Sequence, residues 1–208
     1  MTTFLLVRHG AHDWLGRGIA GRLPGVSLNA HGWLQAEALV RRLDGWDIAA
    51  IYSSPQPRAQ ETVAPLAGRR RLPVRVLDAF DEIDFGEWAG RDFEALAREG
   101  QRWRDWCEHR SQARPPGGET LPQVRQRAVE ALEQLRQRHP AGAVLIASHG
   151  DVIKAVLATV LHMSLDDLER FEVAPGSLSI VEAGQGWLQV RLVNATGGDV
   201  EPGQGPGT

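Results

Sequence analysis

The sequence predicts an α/β fold, a three-layer α/β/α sandwich with a mostly parallel central sheet and an antiparallel edge. Short apolar runs alternate with segments of helical periodicity along most of the chain, as they do where helices connect parallel strands. The last two apolar runs depart from this pattern, because only a short turn containing Gly184 and Gly186 separates them. This spacing predicts a hairpin, and therefore the antiparallel edge.

The first half of the chain predicts strands that alternate with helices. The apolar runs that indicate strands occupy residues 4–8, 48–52 and 74–77. The first helix begins after Asn29, a residue suited to capping, and runs to about Leu43. The second follows the Ser53-Ser54-Pro55 turn and runs to about Leu66. The first helix is expected to direct three apolar side chains inward, namely Leu34, Ala38 and Leu39.

The second half predicts a long helix, a central strand, a further helix and the hairpin. Residues 123–138 form the clearest amphipathic segment, and Pro140 lies just beyond its end. The inward face of this helix is expected to hold Val124, Ala128, Ala131, Leu132 and Leu135. The remaining elements are a strand at 144–147, a helix at 151–161, and hairpin strands at 178–181 and 187–192.

The chain of 208 residues fits one domain over residues 1–194, which is long enough to bury a core without disulfides. Residues 78–120 interrupt the alternating pattern, since they are polar and irregular yet rich in tryptophan. We interpret them as a small insertion that caps the active site, with Trp103 and Trp106 filling a satellite core. Residues 195–208 are rich in glycine and proline and are predicted to form a disordered tail.

The 23 basic and 26 acidic residues leave a net charge of −3, which argues against partners such as nucleic acid or an anionic membrane. A single cysteine, Cys107, rules out an internal disulfide framework and fits a reducing compartment. No apolar run approaches the length of a membrane span, and residues 4–7 are too few for a signal-peptide core. The sequence therefore predicts a cytoplasmic protein, a monomer or homodimer, whose partner is a small molecule.

Two segments repeat a design of apolar strand, histidine and glycine, namely Arg8-His9-Gly10 and Ser148-His149-Gly150. Open α/β sheets bind ligands at the carboxyl ends of their strands, where both segments are expected to lie. Arginine supplies a planar set of donors that matches phosphate oxygens, and a neutral histidine can attack phosphorus. Either histidine alone is more often structural, but the two together with Arg8 predict a phosphoryl-transfer site.

Five separated motifs carry a resemblance to a known family. They are Leu6-Val7-Arg8-His9-Gly10, Ser53-Ser54-Pro55 with Arg58, Ala59 and Thr62, Glu82 with Phe85, Gly86, Trp88 and Gly90, Gly118-Glu119, and Ser148-His149-Gly150. In these motifs, which span residues 4–193 in the family's order, the chain resembles the histidine phosphatase superfamily, in its phosphoglycerate-mutase-like branch. The resemblance implies a phosphoglycerate-mutase-like fold with a small cap, a covalent phosphohistidine intermediate, and neither a metal nor another cofactor.

The resemblance also implies roles for the matching residues. His9 is the nucleophile, Glu82 is the proton donor, and Arg8, Arg58 and His149 hold the phosphoryl group. The predicted substrate-binding set further contains Gly10, Gly150 and Arg22.

The chemistry of phosphate esters agrees with these roles. Negative charge spreads over the phosphoryl oxygens during transfer, and Arg8, Arg58 and a protonated His149 would supply the donors that stabilise it. The leaving alkoxide needs a proton, so Glu82 must be protonated, and we expect burial under the cap to raise its pKa. Two neighbouring carboxylates are alternatives for the acid, although we expect both to be solvated loop charges, namely Asp81 and Asp84.

The chain departs from the family three and six positions after the nucleophile. Members commonly carry a small hydroxyl residue and a phosphate-contacting asparagine there, whereas this chain has His12 and Leu15. Arg22 is a candidate replacement for the lost donor, and an ordinary surface cation is the alternative. The spacing of His12 from His9 imitates that of metal ligands, but no cluster of carboxylates or cysteines completes a ligand set. No metal is expected.

The leading hypothesis is a phosphatase that acts on a small phosphorylated metabolite. A second is a cofactor-dependent phosphoglycerate mutase, which needs extra cations in the cap to hold a second anionic group. The cap segment contains no lysine, and its arginines stand among acidic residues that would neutralise many of them, which favours the phosphatase. A third hypothesis, a non-catalytic module that binds phosphorylated ligands or proteins, is disfavoured by the presence of His9, Glu82 and His149.

Overall fold

A computed structural model describes residues 1–197 and confirms the predicted fold class. Its strands are β1 (Thr2–Arg8), β2 (Ile48–Ser53), β3 (Val74–Val76), β4 (Gly142–Ser148), β5 (Leu178–Gly184) and β6 (Trp187–Ala195). They form a sheet in the order β3-β2-β4-β1-β5-β6. The strands from β3 to β1 are parallel, whereas β5 is antiparallel to β1 and β6 to β5. The hairpin at the edge is therefore confirmed.

The α-helices connect and cover these strands. They are α1 (Ala30–Arg42), α2 (Pro57–Arg70), α3 (Phe93–Ala97), α4 (Gln101–Glu108), α5 (Leu121–Arg138) and α6 (Gly150–Val160). Asn29 caps α1 as predicted, because its side chain accepts a hydrogen bond from the Gly32 N–H at 3.0 Å. At the start of α5, Thr120 and Gln123 form a capping box, which satisfies amides that the first helical turn leaves free.

The core lies on both faces of the sheet. Along β1, Leu5 and Val7 belong to the hydrophobic cluster under α1 and α2, whereas Phe4 and Leu6 belong to the cluster under α5 and α6. Both faces of the central strands are thus covered, as is usual for parallel sheets. Each fully buried valine, leucine or phenylalanine stabilises the fold by about 1.5–3 kcal/mol. The expected inward face of α5 is confirmed, since its five apolar residues are buried.

The inward face predicted for α1 is wrong at one position. Leu39 is buried and Ala38 half-buried, but Leu34 is 69% exposed. The buried stripe instead includes Gly32, where a Cβ would approach the Ala11 carbonyl oxygen to 2.2 Å. A count of apolar residues misses a stripe that begins with a residue lacking a side chain.

The segment at residues 78–120 packs on the sheet through aromatic rings. Trp106 is buried, with ring centroids 5.6 Å from Phe85 and 6.2 Å from Trp88, and Trp103 lies 5.5 Å from Trp88. These rings are continuous with the hydrophobic cluster under α5 and α6. The expectation of a separate satellite core is therefore wrong, because Trp88 joins the segment to the main core.

The expected tail is partly structured where the structure describes it. Prediction of disorder from Ala195 onward is wrong at Ala195, because β6 continues to that residue and pairs it with Leu178. Residues 198–208, which make up most of the predicted tail, lie outside the described residues. Among residues 1–197, no helix is long and apolar enough to cross a membrane.

Candidate active site

The two histidines of the repeated motif meet at the carboxyl ends of adjacent parallel strands. Arg8 of β1 lies opposite Ser148 of β4, so His9 and His149 each follow directly after a paired strand end. Their ring centroids are 5.1 Å apart, and both side chains are buried. The register of the sheet thus brings together residues from opposite ends of the chain.

The environment of His9 keeps one ring nitrogen free. Its Nδ1 lies 2.8 Å from the carbonyl oxygen of Gly10, an acceptor, so Nδ1 carries the proton and Nε2 keeps its lone pair. Burial, followed by the charges of Arg58 and Arg8, holds the pKa of His9 well below 6.5. His9 is therefore neutral at physiological pH, with Nε2 as a potential nucleophile.

Gly10 joins this loop to α2 instead of offering its amide to a ligand. Its N–H donates to the Thr62 hydroxyl at 2.9 Å, and that hydroxyl donates to the Arg58 carbonyl oxygen at 2.7 Å. A Cβ at Gly10 would lie 2.9 Å from the Gly32 carbonyl oxygen, so a glycine is needed for the close approach of α1. The Gly10 amide predicted to contact substrate is already used within the protein.

Arg58 and Arg8 bring buried donors to the same place. One Arg58 nitrogen, Nη2, donates to the Gly21 carbonyl oxygen at 2.7 Å, and Arg8 Nη1 donates to the Val173 carbonyl oxygen at 2.6 Å. Within residues 1–197, Arg58 Nε and Nη1 and Arg8 Nε are buried without a hydrogen-bond partner. Buried donors are rarely left unpaired, so these three nitrogens are available to an anion.

Gly150 allows Arg8 to lie against the start of α6. A Cβ at position 150 would lie 3.3 Å from Arg8 Cζ and Nε, tighter than most such contacts. Gly150 begins α6, and His149 is the residue before it. Its contribution here is therefore space for a guanidinium.

Glu82 lies beside both His149 and Arg58. Its Oε2 is 3.5 Å from His149 Nδ1 and 4.0 Å from Arg58 Nη2, and its Oε1 accepts the Ile83 N–H at 2.9 Å. Burial raises the pKa of Glu82 to about 7, although Arg58 opposes the shift. The expected raised pKa is confirmed, and much of Glu82 is protonated near neutral pH.

Asp81 is a buried hydrogen-bonded group, so its prediction as a solvated loop charge is wrong. Its Oδ1 accepts from Gln56 Nε2 at 2.8 Å, from the Ser54 hydroxyl at 3.2 Å, and from the Glu82 N–H at 2.7 Å. The Ser54 oxygen also lies 2.7 Å from His149 Nε2. Because Ser54 donates to Asp81, the His149 Nε2–H must donate to Ser54.

This chain of hydrogen bonds defines the state of His149. Its Nδ1 keeps a lone pair and lies 3.3 Å from Arg58 Nη2, a donor. Burial, and next the charge of Arg58, holds the pKa of His149 well below 6.5. The prediction of a protonated His149 is therefore wrong for the free protein, because burial and the neighbouring guanidiniums both oppose a positive charge on the ring.

Arg22 supports the Glu82 loop from outside the pocket. Its Nε donates to the Glu82 carbonyl oxygen at 2.8 Å and lies 3.1 Å from Asp81 Oδ2, and its Nη2 donates to Glu119 at 3.2 Å. Arg127 of α5 likewise donates to Glu119 and to the Glu82 carbonyl oxygen. The structure thus does not bring Arg22 to the pocket as a replacement donor. Asp84 closes a turn by accepting the Gly86 N–H.

Sequence reasoning missed Arg127, Ser54 and Gln56 as supports of the site. Ser54 lies in the Ser53-Ser54-Pro55 motif, so its neighbourhood was identified but its hydrogen bonds were not. Arg127 gives no local signal, because it lies on an amphipathic helix that carries several arginines.

A pocket of about 270 Å³ opens above these groups. Its polar lining consists of Arg8, His9, His12, Arg58 and Glu82. The His12 ring lies 5.0 Å from the His9 ring, and its Nδ1 accepts the Trp14 N–H at 3.2 Å. Burial, together with Arg58 and Arg8, lowers the pKa of His12 to about 4, so His12 adds no charge near neutral pH.

Within the described chain, one group of three potential metal ligands lies close together, formed by His9, Glu82 and His149 within 4.8 Å. Arg8 and Arg58 stand beside this group and lower the pKa of both histidines. A field that disfavours a proton on each imidazole also disfavours a divalent cation between them. The arrangement is suited to an anion.

A sequence profile described as the histidine phosphatase superfamily (branch 1) matches residues 4–196. The chain belongs to the histidine phosphatase superfamily. It is 36% identical, over 94% of its length, to 54% of a bifunctional protein of Mycobacterium tuberculosis. The chain thus spans about half the length of that relative.

Two further members of the superfamily match along most of their length. Phosphoserine phosphatase 1 of Hydrogenobacter thermophilus is 30% identical over 87% of this chain and 86% of its own. The solved structure of YhfR from Bacillus stearothermophilus superposes with a TM-score of 0.87 at 31% identity, covering 97% of this chain and 98% of that one. The fold is that of the superfamily.

Proposed function

We propose that this histidine phosphatase superfamily member hydrolyses a small phosphate monoester through a covalent phosphohistidine on His9. The observation that carries the proposal is the free Nε2 of a neutral, buried His9 beside unpartnered donors of Arg8 and Arg58. A nucleophile next to empty anion-binding donors is the arrangement that phosphoryl transfer requires. The phosphoserine phosphatase among the relatives supports the reaction type.

In the first step, His9 Nε2 attacks phosphorus while Arg8 and Arg58 donate to the phosphoryl oxygens. The P–N bond forms as the ester P–O bond breaks, and the bond electrons leave with the alkoxide. Glu82, protonated because its pKa is about 7, gives its proton to that alkoxide. The alcohol departs and leaves phosphohistidine and a Glu82 carboxylate.

In the second step, a water molecule attacks the phosphohistidine. The Glu82 carboxylate takes a proton from the water as the new P–O bond forms and the P–N bond breaks. Inorganic phosphate leaves, His9 regains its neutral form, and Glu82 is again protonated. A bound dianion would also favour protonation of His149 Nδ1, a state that Asp81 stabilises through Ser54.

Hydrolysis fits the cap better than mutase activity does. A mutase needs free cations that grip a second anionic group, but three cap arginines are paired with carboxylates, namely Arg91 with Glu99 at 2.5 Å, Arg98 with Glu94 at 2.8 Å and Arg110 with Asp151 at 2.6 Å. Arg8 and Arg58 are the arginines that line the pocket of the described chain, and neither belongs to the cap. A protein that only binds phosphorylated ligands would not need a carboxyl group whose pKa is raised to about 7.

The proposed setting is the cytoplasm, with the protein acting as a monomer or homodimer on a small phosphorylated partner. The net charge of −3 supports neither nucleic acid nor an anionic membrane as a partner. The proposed chemistry needs no metal and no other cofactor, because two guanidiniums supply the positive charge.

A trapping experiment tests the nucleophile. Brief exposure to a ³²P-labelled monoester, followed by acid quench and base quench, should show phosphate on the protein that is labile to acid and stable to base. The His9→Ala variant should carry no such label and should release no phosphate above background. The matched control is His31→Ala, which removes an exposed histidine of α1. Full turnover by His9→Ala would contradict the mechanism.

A further inference from the structure

The side chains that line the pocket are of two kinds. Arg8, His9, His12, Arg58 and Glu82 are polar, whereas the large apolar side chains form an apolar wall, namely Trp14, Leu15, Ile19, Phe85 and Phe93. We infer that the substrate is a phosphate monoester whose alcohol part is apolar or aromatic and bears no charge near the ester. This inference deepens the proposed function and rests on it.

The charges of the pocket are all required by the phosphoryl group. Among the described residues that line it, the cations are Arg8 and Arg58 and the carboxyl group is that of Glu82. A carboxylate on the alcohol part would find no cation along the wall, and an ammonium group would find no carboxylate. An unpaired charge loses its hydration on entering such a site, so charged alcohols are disfavoured.

The backbone of the wall offers few donors as well. The N–H groups of Leu15, Arg17 and Ile19 donate to carbonyl oxygens of His12, Trp14 and Arg91 at 2.9–3.2 Å. A polar alcohol therefore finds no free donor among these three amides, and besides His9 the neutral polar side chain that this loop contributes to the lining is that of His12. An apolar alcohol, by contrast, gains contact with Trp14, Leu15 and Ile19.

Backbone contacts between residues 17–18 of this loop and residues 91–93 of the cap, here called the seam, hold the wall in place. Gly18 and Asp92 form a bridge, the Phe93 N–H donates to the Arg17 carbonyl oxygen at 3.1 Å, and a Cβ at Gly18 would lie 2.2 Å from the Arg91 carbonyl oxygen. The seam includes Phe93, whose side chain is 44% exposed and lines the pocket. Such a preformed aromatic surface binds an apolar ligand without the entropy cost of assembling the surface.

Arg17 is the residue on which the alternative, a substrate with a charged alcohol part, depends. It is exposed on the same loop, between two glycines that line the pocket, and its side chain does not line the pocket itself. If Arg17 reached over the mouth, a substrate with a distal carboxylate would be preferred instead.

Four primary alkyl esters separate these readings: 2-phenylethyl, butyl, 3-carboxypropyl and 3-aminopropyl phosphate. We expect the first two to exceed both charged esters in kcat/KM by at least about tenfold, the lower end of what a hydrophobic pocket discriminates. Phe93→Ala should lower the ratio of 2-phenylethyl to butyl phosphate several-fold, and Phe93→Leu should do so less. Arg17→Ala, the matched control, should leave the order of the four esters unchanged.

Each other outcome overturns a different statement. Turnover with equal or better use of the carboxypropyl ester overturns the inference and leaves the phosphatase in place. Loss of that preference in Arg17→Ala would then assign the specificity to Arg17. If either Phe93 variant fails to fold, the order of the four esters on the unmodified protein decides alone. Absence of phosphate release from every ester and from p-nitrophenyl phosphate, with no label on His9, overturns the proposed function and the inference with it.

Discussion

Two arginine side chains of this molecule are almost fully buried, but only one of them is hydrogen-bonded to carboxylates. Arg58, at the pocket, has a side-chain exposure of 1%, and Arg110, between α4 and α6, has 6%. Arg110 donates to both carboxylate oxygens of Asp151, at 2.6 and 3.0 Å, and to Glu169 at 3.1 Å. The nearest carboxyl oxygen to Arg58 belongs to Glu82 at 4.0 Å, a group whose pKa is about 7.

The difference changes the sign of the pKa shift. Burial lowers the pKa of both guanidiniums, but at Arg110 the attraction and hydrogen bonds of Asp151 outweigh burial and raise the pKa. At Arg58, Glu82 and Asp81 attract too weakly to reverse the effect of burial, and the pKa stays lowered. One region neutralises its buried cation with its own carboxylates, whereas the other leaves the cation for an incoming anion. Buried charge alone therefore does not mark a site; Arg58 is distinguished because it lacks a close carboxylate and also lines the pocket.

Glu82 is the carboxyl group nearest to Arg58, as Asp151 is the one nearest to Arg110. Glu82→Gln removes the proposed acid, so hydrolysis of butyl phosphate should slow by about 10² to 10⁴. Hydrolysis of p-nitrophenyl phosphate should slow much less, because its leaving group needs no proton. Steady-state kinetics on both esters measures the effect. The matched control is Glu169→Gln, which removes another carboxylate beside Arg110 and should not alter the ratio between the esters. Equal losses on both esters in Glu82→Gln would assign the acid elsewhere.

Arg58→Met removes the buried cation that has no carboxylate within hydrogen-bond distance. Loss of donors to the phosphoryl group should lower kcat/KM by about 10² to 10³. The free energy of unfolding should fall by less than in Arg110→Met, since removal of the desolvated charge offsets the lost hydrogen bond to the Gly21 carbonyl oxygen. Activity assays and urea titration measure the two effects. A large loss of stability would show that Arg58 is a structural group like Arg110.

Arg110→Met is the opposite case. This substitution leaves the Asp151 carboxylate without its guanidinium partner, so the free energy of unfolding should fall by about 3 kcal/mol. The ratio of the rates for butyl and p-nitrophenyl phosphate should stay unchanged. Urea titration measures the loss, and adding Asp151→Asn should recover part of it, because the stranded charge is then removed. Additive losses in the double variant would argue against coupling of the pair.

The pH dependence should show the smallest effect. Glu82 is protonated below its pKa of about 7 and loses its proton above it. The ratio of kcat/KM for butyl phosphate to that for p-nitrophenyl phosphate should therefore fall by up to about tenfold per pH unit above 7. Burial holds the pKa of His9 well below 6.5, so protonation of the nucleophile should cause no loss of activity near pH 6.5. A ratio that stays constant across pH 6–9 would contradict this assignment.

The meeting of the two histidines could be predicted because each one directly follows the end of a strand. His9 and His149 follow apolar strands directly, and parallel strands place their carboxyl ends at one edge, so pattern and topology sufficed. Local patterns of this kind require no knowledge of distant contacts. The placement of Arg58 of α2 close to the histidines came instead from the resemblance to the family.

The rest depends on contacts between distant segments that no local pattern records. Asp81 was expected in solvent, yet Ser54 and Gln56 surround it, because the turn after β2 closes over the Asp81 loop. The pairing of Arg110 with Asp151 joins the cap to α6 and leaves no periodic signal in either segment. The charge state of His149 was misjudged for a related reason, since burial between two guanidiniums is a property of the assembled site.

The register between β1 and β4 also determines when the site comes into existence. Arg8 faces Ser148 across strands that are separated by most of the chain, and a slip of one residue would turn one strand's side chains to the opposite face. Pairings of such long sequence separation form slowly, because the loop between them must first be closed. The proposed nucleophile His9 and the His149 imidazole thus meet only after the middle of the sheet has formed, so recovery of the proposed activity during refolding would report this late event.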